Sequence, residues 1–94
     1  SNVKALSEFL LTGINDIIEN HKDKITSVRG RGFMLGIKCE VENTLLAETA
    51  LKNGLLLVPA ADNIIRLLPP LNTEKKDIEE FFNLLNMTLE NLPR

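Results

Sequence analysis

Ninety-four residues, 44% hydrophobic and 26% charged with a net charge of −2, describe one ordinary globular domain with room for a single modest core. Acidic and basic residues are interspersed and every aromatic residue is Phe, so the chain lacks both the basic footprint and the stacking platform of a nucleic-acid binder. A lone Cys and a lone His cannot assemble a transition-metal centre; no apolar run approaches the roughly 18–20 residues that span a bilayer, and no secretory signal opens the chain, which points to the cytoplasm.

The first segment reads as an amphipathic helix. Val3, Leu6, Phe9, Leu10, Ile14, Ile17 and Ile18 recur at three- and four-residue steps and stack on one face, with Lys4, Glu8, Asn15, Asp16 and Glu19 opposite. Gly13 costs about 1 kcal/mol there relative to Ala, which is either tolerated or explained by a close crossing of another element. The polar run 20–24 ends the helix. Residues 25–29 and 33–39 are apolar and partly β-branched, which predicts strand on both sides of a kink at Gly30-Arg31-Gly32. Two short strands or one bent strand both satisfy that pattern.

A second helix is expected over 41–53, with Leu45, Leu46, Thr49 and Ala50 on one face and Asn53-Gly54 as its stop. Residues 55–58 read as a buried strand, 59–63 as a turn in which Asp62 and Asn63 tolerate left-handed angles, and 64–68 as the next strand, ended by Pro69-Pro70. The short connection makes the pair a β-hairpin. The last helix is expected to start at Thr73 as N-cap, with Glu74 at the positive end of the dipole. Lys76 stands where a capping box wants Glu or Gln. Ile78, Phe81, Phe82, Leu85, Leu89 and Leu92 form its apolar stripe and Pro93 closes it. The expected fold is α+β: a small mixed or antiparallel sheet with a C-terminal β-hairpin, packed against three helices.

Few residues suggest chemistry. Gly30, Gly32 and Gly36 are spaced one residue too long for a dinucleotide fingerprint and lead into a strand rather than a helix, so they read as a bend. Cys39 reads as a packed strand residue and His21 as a solvated loop or helix-end residue. Arg66 is the most informative position because it interrupts the apolar run 64–68. At a period of two it shares a face with Ile64 and Leu68. Its guanidinium either reaches water or an acid, or offers a planar fork to a carboxylate. Pro69-Pro70 either ends the strand or stiffens a strand end at an interface.

Three blocks of the sequence carry a resemblance. They are Val28-Arg29-Gly30-Arg31-Gly32-Phe33-Met34-Leu35-Gly36-Ile37, Asn53-Gly54-Leu55-Leu56-Leu57-Val58-Pro59-Ala60, and Asp62-Asn63-Ile64-Ile65-Arg66-Leu67-Leu68-Pro69-Pro70-Leu71. In this order and spacing they resemble the C-terminal small domain of class-III pyridoxal-phosphate-dependent aminotransferases, in wording closest to the acetylornithine branch, with the ornithine and succinylornithine branches as neighbours. The resemblance covers essentially all of residues 1–94. It implies that a large cofactor-binding domain, outside this chain, carries the pyridoxal phosphate and its lysine, and that the intact enzyme is a homodimer acting on amino-acid substrates. Arg66 matches the family arginine that binds substrate carboxylate. No catalytic, cofactor-binding or metal-binding residue is expected in this chain, since none of its lysines sits in the family's cofactor context. The chain alone is therefore expected to be inactive. A free-standing α+β module that binds a small acid or a partner protein, or a structural fragment that self-associates through an uncovered face, would share the same element order.

Overall fold

Strands that alternate apolar and polar side chains can bury only one face, and that alternation sorts this molecule into two layers. The computed structural model describes residues 2–68 and 73–92; Pro69, Pro70, Leu71 and Pro93, to which the strand end and helix end were assigned above, lie outside the described residues. The elements run α1 (Asn2–Asn20), β1 (Ile25–Arg31), β2 (Met34–Cys39), α2 (Asn43–Lys52), β3 (Leu57–Ala60), a 3-10 turn at Ala61–Asn63, β4 (Ile64–Leu67) and α3 (Lys75–Asn91). The sheet has four strands in the order β1-β2-β4-β3, and each neighbouring pair is antiparallel. The α+β architecture expected from the sequence is the one observed.

One apolar cluster joins the layers. Ile25, Leu35, Ile37, Cys39, Leu57, Ile65 and Leu67 from the strands meet Leu10, Ile14, Ile17 and Ile18 of α1, Leu46 and Ala50 of α2, and Ile78, Leu85 and Leu89 of α3. Each fully buried aliphatic side chain contributes about 1.5–3 kcal/mol, so this cluster is what holds helices to sheet. Val3, assigned to the buried stripe of α1, is 59% exposed, because the apolar contact begins a turn later. Gly13 lies under a crossing helix: a Cβ there would fall 2.0 Å from the tip of the Phe82 ring. The missing methyl lets α3 cross α1, with Phe82 and Phe9 rings 5.5 Å apart.

The glycine kink is a hairpin turn between two strands. Gly30 adopts φ 133° and Gly32 φ 58°, and a Cβ on Gly30 would sit 2.1 Å from the Met34 carbonyl oxygen. Only glycine allows that approach. β3 starts two residues later than the apolar run suggested. The Leu55 N–H donates to the Ala50 carbonyl at 2.8 Å, so that residue still belongs to the end of α2 and cannot enter the ladder. Pro59 therefore falls inside β3, which its place on an edge strand permits. The start of α3 also shifts by one residue. Glu74, not Thr73, is the N-cap, and the Asp77 carboxylate accepts the Glu74 N–H at 2.8 Å in a capping box. Moving the cap by one residue replaces Lys76 with Asp77 at the reciprocal position, where an anion also suits the helix dipole.

The turn before β4 is tied down by two asparagines. Asp62 and Asn63 have φ of 62° and 57°. Asn63 Nδ2 donates to the Cys39 and Val41 carbonyls, both at 2.8 Å, and its Oδ1 accepts the Asn43 N–H at 2.8 Å. Asn43 Nδ2 in turn donates to the Ala60 and Ile64 carbonyls at 2.9 and 3.0 Å. Together the two side chains hold the start of α2, the end of β2 and the start of β4. Lys24 does a similar service for α3, donating from Nζ to the Leu89 carbonyl at 2.7 Å.

Asn63→Ala should destabilise the chain by about 2–4 kcal/mol, since it orphans half-buried backbone groups and puts Ala in a left-handed conformation. Asp62→Ala, with the same backbone angle and no such side-chain bonds, should cost about 1 kcal/mol. Urea unfolding of the two variants checks the difference; equal losses would assign the whole effect to backbone angle.

Candidate functional site

The burial of β4 alternates: Ile65 and Leu67 face the helices, while Ile64, Arg66 and Leu68 look the other way. On that side the sheet has no covering layer among the described residues. Arg66 pairs laterally with Gly36 of β2 and Val58 of β3, and Gly36 pairs on its other side with Arg29 of β1. One row across the open face therefore reads Arg29, Gly36, Arg66, Val58. The neighbouring row carries Ser27, Lys38 and Ile64. Between them lies an open trough of about 910 Å3, lined by Arg29, Lys38, Arg66, Ser27, Met34, Ile64 and Leu68 among others, and by no acidic residue.

The cations in this trough are not equivalent. Lys38 donates from Nζ to the Asp62 carbonyl. Arg29 and Arg66 are exposed and make no hydrogen bond or ion pair among the described residues. The only ion pair among those residues is the exposed Lys22–Glu19 contact at 3.2 Å on the helical side, a type that contributes little. Arg66 thus shares its face with Ile64 and Leu68, as the two-residue period required, and no internal acid neutralises it. The apolar run around it belongs to both faces of one strand, so its charge stays in water and carries no burial penalty. The apolar companions are notably exposed: Met34 is 83% and Leu68 57% accessible.

Sequence reading did not single out Arg29. The signal was present in principle, because a two-residue turn at Gly32-Phe33 places Arg29 opposite Gly36. The link to Arg66 depends on which strand adds beside β2, and that is a property of the folded sheet.

The other candidates are structural. Cys39 is buried on β2 with its thiol directed at the Ile37 carbonyl, 3.6 Å away. Burial pushes its pKa up from 9.0 to about 11, with Lys38 pulling weakly the other way. A protonated thiol is a poor nucleophile. His21 follows the last turn of α1 and its N–H donates to the Ile18 carbonyl at 3.0 Å. The lysines among the described residues occupy ordinary structural or surface positions. Lys24 and Lys38 are engaged with backbone carbonyls, Lys75 lies 5.2 Å over the Phe9 ring, Lys22 pairs with Glu19, and Lys4, Lys52 and Lys76 stand exposed on helix surfaces. No helix is long and apolar enough to cross a membrane among the described residues.

This two-layer fold, with an exposed arginine on its open face, is that of the class-III aminotransferases. Residues 1–89 match the sequence profile of that family, described as Aminotransferase class-III, and the chain is a member of it. Among its relatives is acetylornithine aminotransferase of Brucella melitensis, 33% identical over 91 residues that make up 97% of this chain and 23% of the relative. The fold superposes on the acetylornithine aminotransferase structure from Elizabethkingia anophelis with a TM-score of 0.86 at 29% identity, over 95% of this chain and 23% of that one. The N-acetylornithine aminotransferase structure from Stenotrophomonas maltophilia gives a TM-score of 0.83 at 28% identity, over 95% and 25% respectively. The chain therefore spans about a quarter of the length of the proteins it matches.

The Cys39 environment sets a stability expectation. Its folded pKa is raised, so between pH 9.0 and about 11 the unfolded chain releases a proton that the folded chain keeps, and stability falls as pH rises through that window. Urea midpoints at pH 8 and pH 10.5 should drop further for the parent chain than for Cys39→Val. An equal drop in both would show that the thiol contributes nothing to the alkaline loss.

Proposed function

We propose that residues 1–94 form the C-terminal small domain of a pyridoxal-phosphate-dependent transaminase, and that Arg66 binds the carboxylate of its substrate. The reaction would move an amino group between N-acetylornithine, or a similar ω-amine, and 2-oxoglutarate in arginine biosynthesis. The intact enzyme would work in the cytoplasm as a homodimer, and this chain alone would not be catalytic. The observation that carries the reading is the position of Arg66: among the described residues its guanidinium has no partner and lies on the sheet face that no helix covers, beside exposed apolar side chains suited to contact with a larger body. Family membership supports the reaction class, and the one-quarter coverage of the relatives leaves room for a cofactor domain elsewhere in the enzyme.

In this reading pyridoxal phosphate, held by the large domain, supplies the electron sink. The small domain's share of the work is binding and orientation. Arg66 presents parallel N–H donors that match the two oxygens of a carboxylate. Docking of the large domain over Met34, Ile64 and Leu68 would exclude water from the trough and strengthen that contact. The strand fixes where the Arg66 side chain leaves the sheet, because Ile65 and Leu67 anchor its backbone in the core on either side.

Two measurements test this. Borohydride reduction of the 94-residue chain with pyridoxal phosphate should give no stoichiometric labelling at a single lysine, whereas one lysine modified one-to-one would place the cofactor here. In the intact enzyme, Arg66→Ala should raise KM for the acidic substrate roughly ten- to hundredfold, the loss of a charge-assisted bond of about 1.5–3 kcal/mol. Unchanged kinetics would remove Arg66 from the site.

A further inference from the structure

The carboxylate site assigned to Arg66 has a second arginine in the same row. Gly36 is the only residue between Arg29 and Arg66 across the sheet. Their backbones are two strand spacings apart, about 9–10 Å, so both long side chains can lean over the gap and meet above Gly36. A carboxylate has about four lone-pair directions and can accept from both forks at once. Neither arginine has another partner among the described residues, and the trough they line contains no acid. Arg29 and Arg66 are thus two cations in one row of the sheet, flanking Gly36, with no acid among the residues that line the trough.

Gly36 has no conformational reason to be glycine, since it is not among the residues with positive φ. Interior glycine weakens a strand, and its usual justification is a ligand or backbone that must come close. A Cβ built on Gly36 would meet Ile64 Cγ2 at 3.0 Å, and a larger side chain there would stand in the row between Arg29 and Arg66. We infer that Arg29 is a second carboxylate-binding residue, gripping together with Arg66 one substrate carboxylate above Gly36, and that glycine at position 36 keeps the floor of this clamp open. The inference rests on the reading of Arg66 as a carboxylate ligand and adds to it both a partner and a size limit.

The test is an NMR titration of the 15N-labelled 94-residue chain with sodium propionate, at ionic strength held constant with sodium chloride. The Nε–Hε signals of Arg29 and Arg66 and the Gly36 amide should shift together with one dissociation constant. Arg29→Gln and Arg66→Gln should each weaken binding by about tenfold or more, while Arg31→Gln, outside the trough, should change it less than twofold. Gly36→Val should abolish the shifts; Arg29→Gln alters only an exposed side chain, so it decides the matter even where Gly36→Val unfolds the chain. If Arg66 responds with unaltered affinity in Arg29→Gln, the clamp is overturned while the role of Arg66 survives. If Arg29 responds and Arg66→Gln has no effect, the reading of Arg66 itself fails. Silence of both guanidiniums, or equal loss in Arg31→Gln, overturns the clamp as a site.

Discussion

Among the described residues, helices cover one face of this sheet and leave the other open, and nearly every other feature follows from that asymmetry. Because strand side chains alternate, a residue's neighbour in sequence is its opposite in environment. Ile65 and Leu67 are sealed against α1, α2 and α3, and Arg66 between them is left in water. The same rule puts Ile37 in the core, and Gly36 and Lys38 outside it. Slipping β4 by one residue would bury the guanidinium without a partner and expose two of the core aliphatics, so the register carrying the candidate site is enforced by the core itself.

Precision at the site comes from a contact that is not part of it. The Asn63 carboxamide joins the ends of β2 and α2, and Asn43 clasps the start of β4. These bonds set where β4 leaves the turn and hence which residue of β2 lies beside Arg66. The structure uses polar side chains at the rim to determine alignment and aliphatic side chains in the interior to supply stability. Both are needed for a guanidinium on a strand to serve as a ligand at a defined height.

An uncovered sheet face combining exposed Met34 and Leu68 with unpaired cations is an unfinished surface for a protein that works alone. The relatives it matches are about four times as long, and on the proposed reading this is the face on which the rest of the enzyme would dock. The acid-free trough then has a second consequence. Among the described residues that line it there is no carboxylate to compete with an entering anion, and on the proposed reading its positive charge would help to select an acidic substrate.

How far the residues alone determined this outcome differs from element to element. The stripes of α1 and α3, the stop at Asn53-Gly54, the left-handed turn at Asp62 and Asn63 and the hairpin before the last helix all rest on local chemistry, and all were readable in order. So was the family, because three blocks keep their wording and spacing. The boundaries of β3 and α3 were misplaced by one or two residues, since the Leu55 N–H and the Asp77 carboxylate chose partners that a local pattern does not reveal. The reason for Gly13 emerged only when α3 was seen to cross it. The pairing of Arg29 with Arg66 across Gly36 was decided entirely by tertiary structure. Periodicity assigns each residue to a face of its own strand, but which strand lies beside which is settled by long-range packing and by the asparagine contacts that no short stretch of sequence contains.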